Sequence, residues 1–159
     1  MRLLCDEMVH RLGRWLRAAG YDTLIMEPGV SDRVLVSKAA AENRLILTRD
    51  KKIPEIKAAR GRILLLEGDG VEGWVAQVSR QLNVNWLYRP FSRCLICNAK
   101  ITPAPQGLLT RLPPRARDFG HGATYCRDCN KLYWPGSHHR RMQQVLESWR
   151  RRHGTPGRP

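Results

Sequence analysis

The chain has 159 residues, with 28 Lys or Arg against 14 Asp or Glu and a formal charge of +14; that length suits one moderate core plus a small stabilised module. No apolar run approaches the ~18–20 residues of a membrane span, and residues 1–20 carry Asp6, Glu7, Arg11, Arg14 and Arg17 where a secretion signal needs an apolar stretch. A soluble, cytoplasmic protein with no membrane partner is expected. The charge is unevenly placed: residues 1–88 hold 14 basic and 11 acidic residues, a balance of +3, and residues 89–159 hold 14 and 3, a balance of +11. Such a half invites a polyanion, nucleic acid ahead of an anionic membrane, with a merely solubilising surface as the plainer alternative.

Residues 3–5 (Leu3-Leu4-Cys5) form a short apolar strand, and Cys5 reads as a small buried hydrophobe. Met8, Leu12, Trp15, Leu16 and Ala19 then lie on one face of a helix closed by Gly20. Arg11, Arg14 and Arg17 fall opposite that face, exposed and either tracking backbone phosphates or simply solvated. A second strand is expected at residues 22–26. A helix capped by Ser31 follows to about Asn43, with Leu35 and Ala39 inward. Next come a third strand, Leu45–Thr48, a short helix around residues 53–59, and a fourth strand at residues 62–66. Val71, Trp74, Val75, Val78 and Leu82 mark an amphipathic helix. Apolar strands alternating with helices predict an α/β unit: a parallel sheet covered on both faces.

Periodicity stops near Tyr88-Arg89-Pro90, where two cysteine pairs begin to govern the chain. Cys94-Leu95-Ile96-Cys97-Asn98 and Cys126-Arg127-Asp128-Cys129-Asn130 each set two thiolates one tight turn apart, the spacing of two knuckles sharing a tetrahedral Zn²⁺. Asn after each pair tolerates the left-handed backbone that often closes such a knuckle. A disulfide framework would imply secretion, and thioredoxin-like chemistry would use one pair at a helix start. Structural zinc is the better reading, leaving no open position for catalysis. The Pro-rich stretch 102–117 between the knuckles reads as a long loop or irregular hairpin. Ser137 can cap a last helix with Met142, Val145, Leu146 and Trp149 inward; the tail 153–159 is expected to be disordered. His138 and His139 are not needed by zinc and suit helix-start or RNA-facing roles, while Arg140, Arg141 and Arg150, Arg151, Arg152 form the densest basic run. With exposed members of Tyr125, Tyr133 and Trp134 they suit stacking and phosphate contacts, although Trp134 packing over the zinc knuckle is equally open.

Three acids share one local context. Asp6 follows the first strand, Asp50 follows the third, and Asp32 opens the second helix. In a parallel sheet these positions gather on the edge where ligands bind. Three carboxylates there repel unless a cation joins them, and hard oxygen donors suit Mg²⁺ or Mn²⁺. Taken singly, each acid can instead cap or complement a helix. Glu7 and Asp69 are candidates to complete the group. Arg49, Lys51 and Lys52, beside Asp50, can neutralise a phosphate or form an ordinary solvated turn.

Leu4-Cys5-Asp6-Glu7-Met8 leading to Arg14-Trp15-Leu16-Arg17, then Ser31-Asp32, Leu47-Thr48-Arg49-Asp50, both cysteine knuckles and Tyr133-Trp134-Pro135-Gly136-Ser137-His138 resemble one known family. This is the Mut-seven C-terminal RNase domain family, a PIN-like nuclease fold carrying a zinc ribbon, and the resemblance covers roughly residues 1–142. It implies RNA as substrate, Mg²⁺ or Mn²⁺ at Asp6, Asp32 and Asp50, and zinc at Cys94, Cys97, Cys126 and Cys129. The usual fourth acid, a mid-chain Glu, has no obvious counterpart, since Glu42 lies toward the far end of its helix. The division expected is a nuclease domain at residues 1–88, a zinc-ribbon module at 89–137, a basic helix at 138–152 and the tail. The expected activity is metal-dependent RNA hydrolysis, with Arg14, Arg17, Arg49, Lys51, Lys52, Arg140 and Arg141 touching substrate. The alternatives are a noncatalytic RNA- or ribosome-binding protein that keeps the fold, and a zinc-dependent protein-interaction scaffold.

Overall fold

A computed structural model describes residues 1–154, so most of the expected tail lies outside the described residues. Four strands, β1 (Arg2–Cys5), β2 (Asp22–Ile25), β3 (Leu45–Thr48) and β4 (Ile63–Leu65), form one sheet in the order β2-β1-β3-β4, every pair parallel. Parallel pairing forces crossovers, here through α1 (His10–Ala18), through α2 (Asp32–Ala41) and, between β3 and β4, through short turns; α3 (Val71–Leu82) follows β4. Alternation along the central strand divides the core. Leu3 and Cys5 face a cluster with Leu12, Leu16, Trp74, Val78 and Trp86, whereas Leu4 joins Ile46, Leu35, Val36 and Ile53 on the other face.

Details of helix phase and capping differ from expectation. A 3₁₀ turn, Glu7–Val9, precedes α1, so Val9 is buried and Met8 is 45 % exposed. Neither Ser31 nor Ser137 makes a side-chain cap: Ser31 sits at the cap of α2 without using its hydroxyl, and Gly136 occupies that position in the last helix. The segment around residues 53–59 forms two 3₁₀ turns, Ile53–Glu55 and Lys57–Ala59. Gly13 lets α1 approach the sheet closely, since a Cβ there would meet Ile25 Cγ1 at 2.7 Å.

The cysteine-bearing half adds β5 (Thr102–Pro103), β6 (Thr124–Cys126) and β7 (Lys131–Tyr133), an antiparallel sheet over a small core of Leu112, Ala116, Ala123 and Leu132. The stretch between the knuckles contains β5 and 3₁₀ turns at Gln106–Arg111 and Pro114–Gly122. Helix α4 (Ser137–His153) then returns to the α/β unit, where Leu146 and Trp149 enter the first core cluster. Trp149 packs edge-on against Trp15 and Trp86 at 4.8 and 5.0 Å, and its indole N–H donates to the Glu72 carboxylate. Among the described residues no helix is long and apolar enough to cross a membrane.

A candidate acidic active site and a four-cysteine metal centre

At the carboxyl edge of the sheet, chain segments leave β1, β2 and β3 around a cavity of about 70 Å³ lined by Asp6, Glu7, Glu27, Asp32 and Asp50 together with apolar side chains. Five acids and no base border it, in a chain with twice as many basic as acidic residues. The sheet edge therefore does bring Asp6, Asp32 and Asp50 to one cavity, although their carboxylate oxygens do not all lie within 4.8 Å of one another. Asp6 is buried; its Oδ1 accepts the Val9 N–H at 3.1 Å and its Oδ2 accepts the Thr48 hydroxyl. Burial pushes its carboxyl above the ordinary range, against the lowering effect of those hydrogen bonds. Thr48 Oγ1 in turn accepts the Asp50 N–H at 2.9 Å, and Asp50 Oδ1 accepts the Lys52 N–H at 2.8 Å. Glu7 Oε2 accepts the Gly29 N–H at 3.0 Å, tying the turn after β1 to the loop after β2.

Glu27 was not among the expected acids, although it lies two residues beyond β2 and the rule that selects Asp6 and Asp50 also selects it. Asp69 does not line this cavity; it is exposed and pairs with Arg49 at 2.6 Å, while the Arg49 guanidinium lies 5.6 Å over Trp74. Glu42 closes α2 at the other end and pairs with Arg44. Arg14, Lys51, Lys52, Arg140 and Arg141 are exposed.

Arg17 is the clear correction. It is 4 % exposed and so unavailable to a phosphate. Its Nε donates to Thr23 O at 2.8 Å, and its Nη1 donates to Leu95 O and Ile96 O at 3.1 and 2.6 Å. These last carbonyls belong to the two residues between Cys94 and Cys97, so a helix side chain grips the first knuckle. Asn98 completes the dock: its side chain accepts the Thr23 N–H at 3.0 Å and donates to Asp22 Oδ1 at 2.8 Å. Both anchors lie at the amino end of β2. The knuckle therefore sits at the opposite end of the strands from the acidic cavity.

The four cysteines form the one group of ligand side chains among the described residues close enough to share an ion, with their Sγ atoms within 4.8 Å of one another. Cys94–Cys129 and Cys97–Cys126 sulfurs stand 3.4 Å apart, near the ~3.8 Å that tetrahedral Zn–S bonds of about 2.3 Å impose. Asn98 and Asn130 adopt left-handed backbone at φ 71° and 56°, as the knuckle turns require. Burial opposes ionisation of Cys94, but hydrogen bonds from the Tyr133 hydroxyl and nearby backbone hold it down at about 6. Cys129 is pushed up to about 12 by burial and by neighbouring sulfurs. The Cys94 thiolate is favoured and the Cys129 thiolate opposed by the sulfurs around it, a crowding of negative charge that a divalent metal offsets. The donor set, spacing and closed geometry fit a metal such as zinc.

A parallel α/β sheet with an acidic carboxyl edge, joined to a four-cysteine module, is the architecture of a nuclease-type domain family. The Mut7-C RNAse domain model matches residues 1–146, and the chain belongs to that family. The human protein named Exonuclease mut-7 homolog is 31% identical over 101 residues, covering 61% of this chain but 12% of that protein. No solved structure matches the chain.

Proposed function

We propose that this protein hydrolyses RNA phosphodiester bonds at the carboxyl edge of its sheet, with Mg²⁺ or Mn²⁺ bound among Asp6, Asp32 and Asp50, partly through the waters such an ion retains, and that its basic half contacts the RNA. The observation that carries this reading is the cavity itself, bordered by five acids and no base in a strongly cationic chain. A cavity of about 70 Å³ has room for a small cation together with waters that Mg²⁺ retains. A bound divalent ion would polarise a phosphate oxygen and lower the pKa of a coordinated water. The chain's own contribution is positioning. Thr48 and the Val9 N–H fix both oxygens of Asp6, Asp50 is held by its own turn, and Asp32 projects from the first turn of α2. Glu7 and Glu27 line the same cavity and add to its negative potential. Lys51 and Lys52, on the turn after Asp50, are placed to meet the phosphates flanking the scissile bond.

A noncatalytic RNA-binding reading draws on one observation: Asp6 and Asp50 both accept backbone hydrogen bonds as ordinary turn-forming acids do. Incubating the zinc-loaded full chain with end-labelled single-stranded RNA separates the two. The wild type should cut when Mg²⁺ or Mn²⁺ is added, and Asp32→Asn and Asp50→Asn should lose at least a hundredfold in rate while binding RNA unchanged. Cutting that survives both substitutions defeats the proposed site, and binding without any metal-dependent cutting favours the noncatalytic reading.

A further inference from the structure

Away from the acidic cavity, the cysteine module, the linker before it and the first turn of α4 enclose a cleft of about 440 Å³, within the size range of small-ligand sites. Its walls are aromatic. Tyr133 and Trp134 come from the end of β7 and the turn beyond it, and the Phe91 ring meets the His139 imidazole at 4.0 Å between centroids. Phe91 has φ 55°, a left-handed conformation rare for a bulky residue, and its N–H is anchored on Ala18 O at 2.8 Å. Ile96, at the tip of the first knuckle and 58 % exposed, extends the apolar wall.

The charge around this cleft is one-sided. The exposed Lys131 borders it, as does Arg93, which pairs with Asp22 at 3.7 Å, and no acid is among its lining residues. The first turn of the 17-residue α4 also contributes to the wall; it carries no acid, and the positive end of the helix lies there. Flat aromatic faces beside cationic and N–H donors match one ligand chemistry, a base with its phosphate.

We propose that this cleft takes an unpaired nucleotide of single-stranded RNA, with the base against the aromatic walls and the phosphate toward Lys131 and the start of α4. The inference rests on the reading of RNA as substrate and adds a binding subsite remote from the carboxylates. Paired bases do not enter, because their faces are stacked within a helix.

The test uses the zinc-loaded full chain carrying Asp50→Asn, fluorescence anisotropy, and two labelled 12-mers, oligouridylate and the same backbone with abasic residues. Oligouridylate should bind at least tenfold more tightly than the abasic strand. Ile96→Asp combined with Lys131→Glu, both exposed positions, should remove most of that difference, and His139→Ala should reduce it. Zinc content and melting temperature verify that each variant is folded. Equal affinity for the two probes overturns the proposal, as does a base-dependent difference that persists in all the variants. Cleavage is scored separately with Asp50 intact. RNA that stays uncut but binds in a base-dependent way defeats the nuclease reading and supports the cleft; RNA that is cut without base-dependent binding defeats the cleft alone.

Discussion

Replacing Arg17 with Met tests whether the cysteine module is gripped by the α/β unit. The substitution keeps most of the packed stem while deleting a guanidinium that donates to Thr23 O, Leu95 O and Ile96 O. A hydrogen bond to a charged group is worth about 1.5–3 kcal/mol net. Burial works against the charge and lowers the pKa of Arg17, so the three bonds do not add in full. The orphaned carbonyls bring the loss to roughly 3–5 kcal/mol, out of the ~5–15 kcal/mol typical of a whole domain. For a chain of this size that lowers the melting temperature by roughly 10 °C. Because two of the bonds end between Cys94 and Cys97, zinc transfer to a chromophoric chelator should accelerate as well. Arg17→Lys keeps the charge but not the planar fork and should fall between wild type and Arg17→Met. Thermal unfolding of the zinc-loaded protein and the chelator assay give the two readouts. A melting temperature within ~2 °C of wild type with an unchanged rate of zinc release refutes the clamp.

Three further outcomes follow from other parts of the molecule. Asp22 is partly buried, yet hydrogen bonds from Arg44 and Asn98 hold its carboxyl below the ordinary range; its stabilisation is present above the unfolded pKa of about 3.9 and fades as pH falls through the lower folded value. Asp22→Asn should therefore cost about 1–3 kcal/mol at pH 7, and the gap to wild type in urea unfolding should shrink toward zero as the pH falls below about 4; a gap that widens on acidification contradicts the assignment. Trp149→Ala empties a site shared with Trp15 and Trp86 and leaves Glu72 without its indole donor, so a loss of about 3–5 kcal/mol is expected by denaturant titration, and a loss below ~1 kcal/mol shows that α4 is dispensable to the core. Stripping zinc should abolish protection of the amides around Cys94, Cys97, Cys126 and Cys129 in hydrogen exchange and should also expose Thr23, whose N–H is held by Asn98; unchanged protection at Thr23 separates the sheet edge from the metal.

The strand–helix alternation was legible because burial on both sheet faces leaves continuous apolar runs, and the acids at strand ends were legible because topology alone places them together. Glu27 was within reach of the same rule. Arg17 was not: a helical wheel assigns a charged residue opposite an apolar stripe to solvent, and its carbonyl partners at positions 95 and 96 lie far along the chain. The phase of α1 slipped at Met8 because a 3₁₀ turn advances the chain by a different angle from an α-helix. The aromatic cleft depends on Phe91 in the linker meeting His139 in α4, a juxtaposition set by the docking of the whole module rather than by any local pattern.

The module's anchors on Asp22 and Thr23, in register with Arg2 and Leu3, and the Asp6 carboxylate beyond the end of β1 are separated by roughly 10–13 Å of strand. On the proposed reading, an RNA stacked at roughly 3.4 Å per nucleotide would bridge the two ends with about four nucleotides, and an unstacked strand with fewer. The sheet thereby acts as a spacer bar. On that reading it fixes how far the place where a strand is gripped stands from the carboxylates to which it is presented.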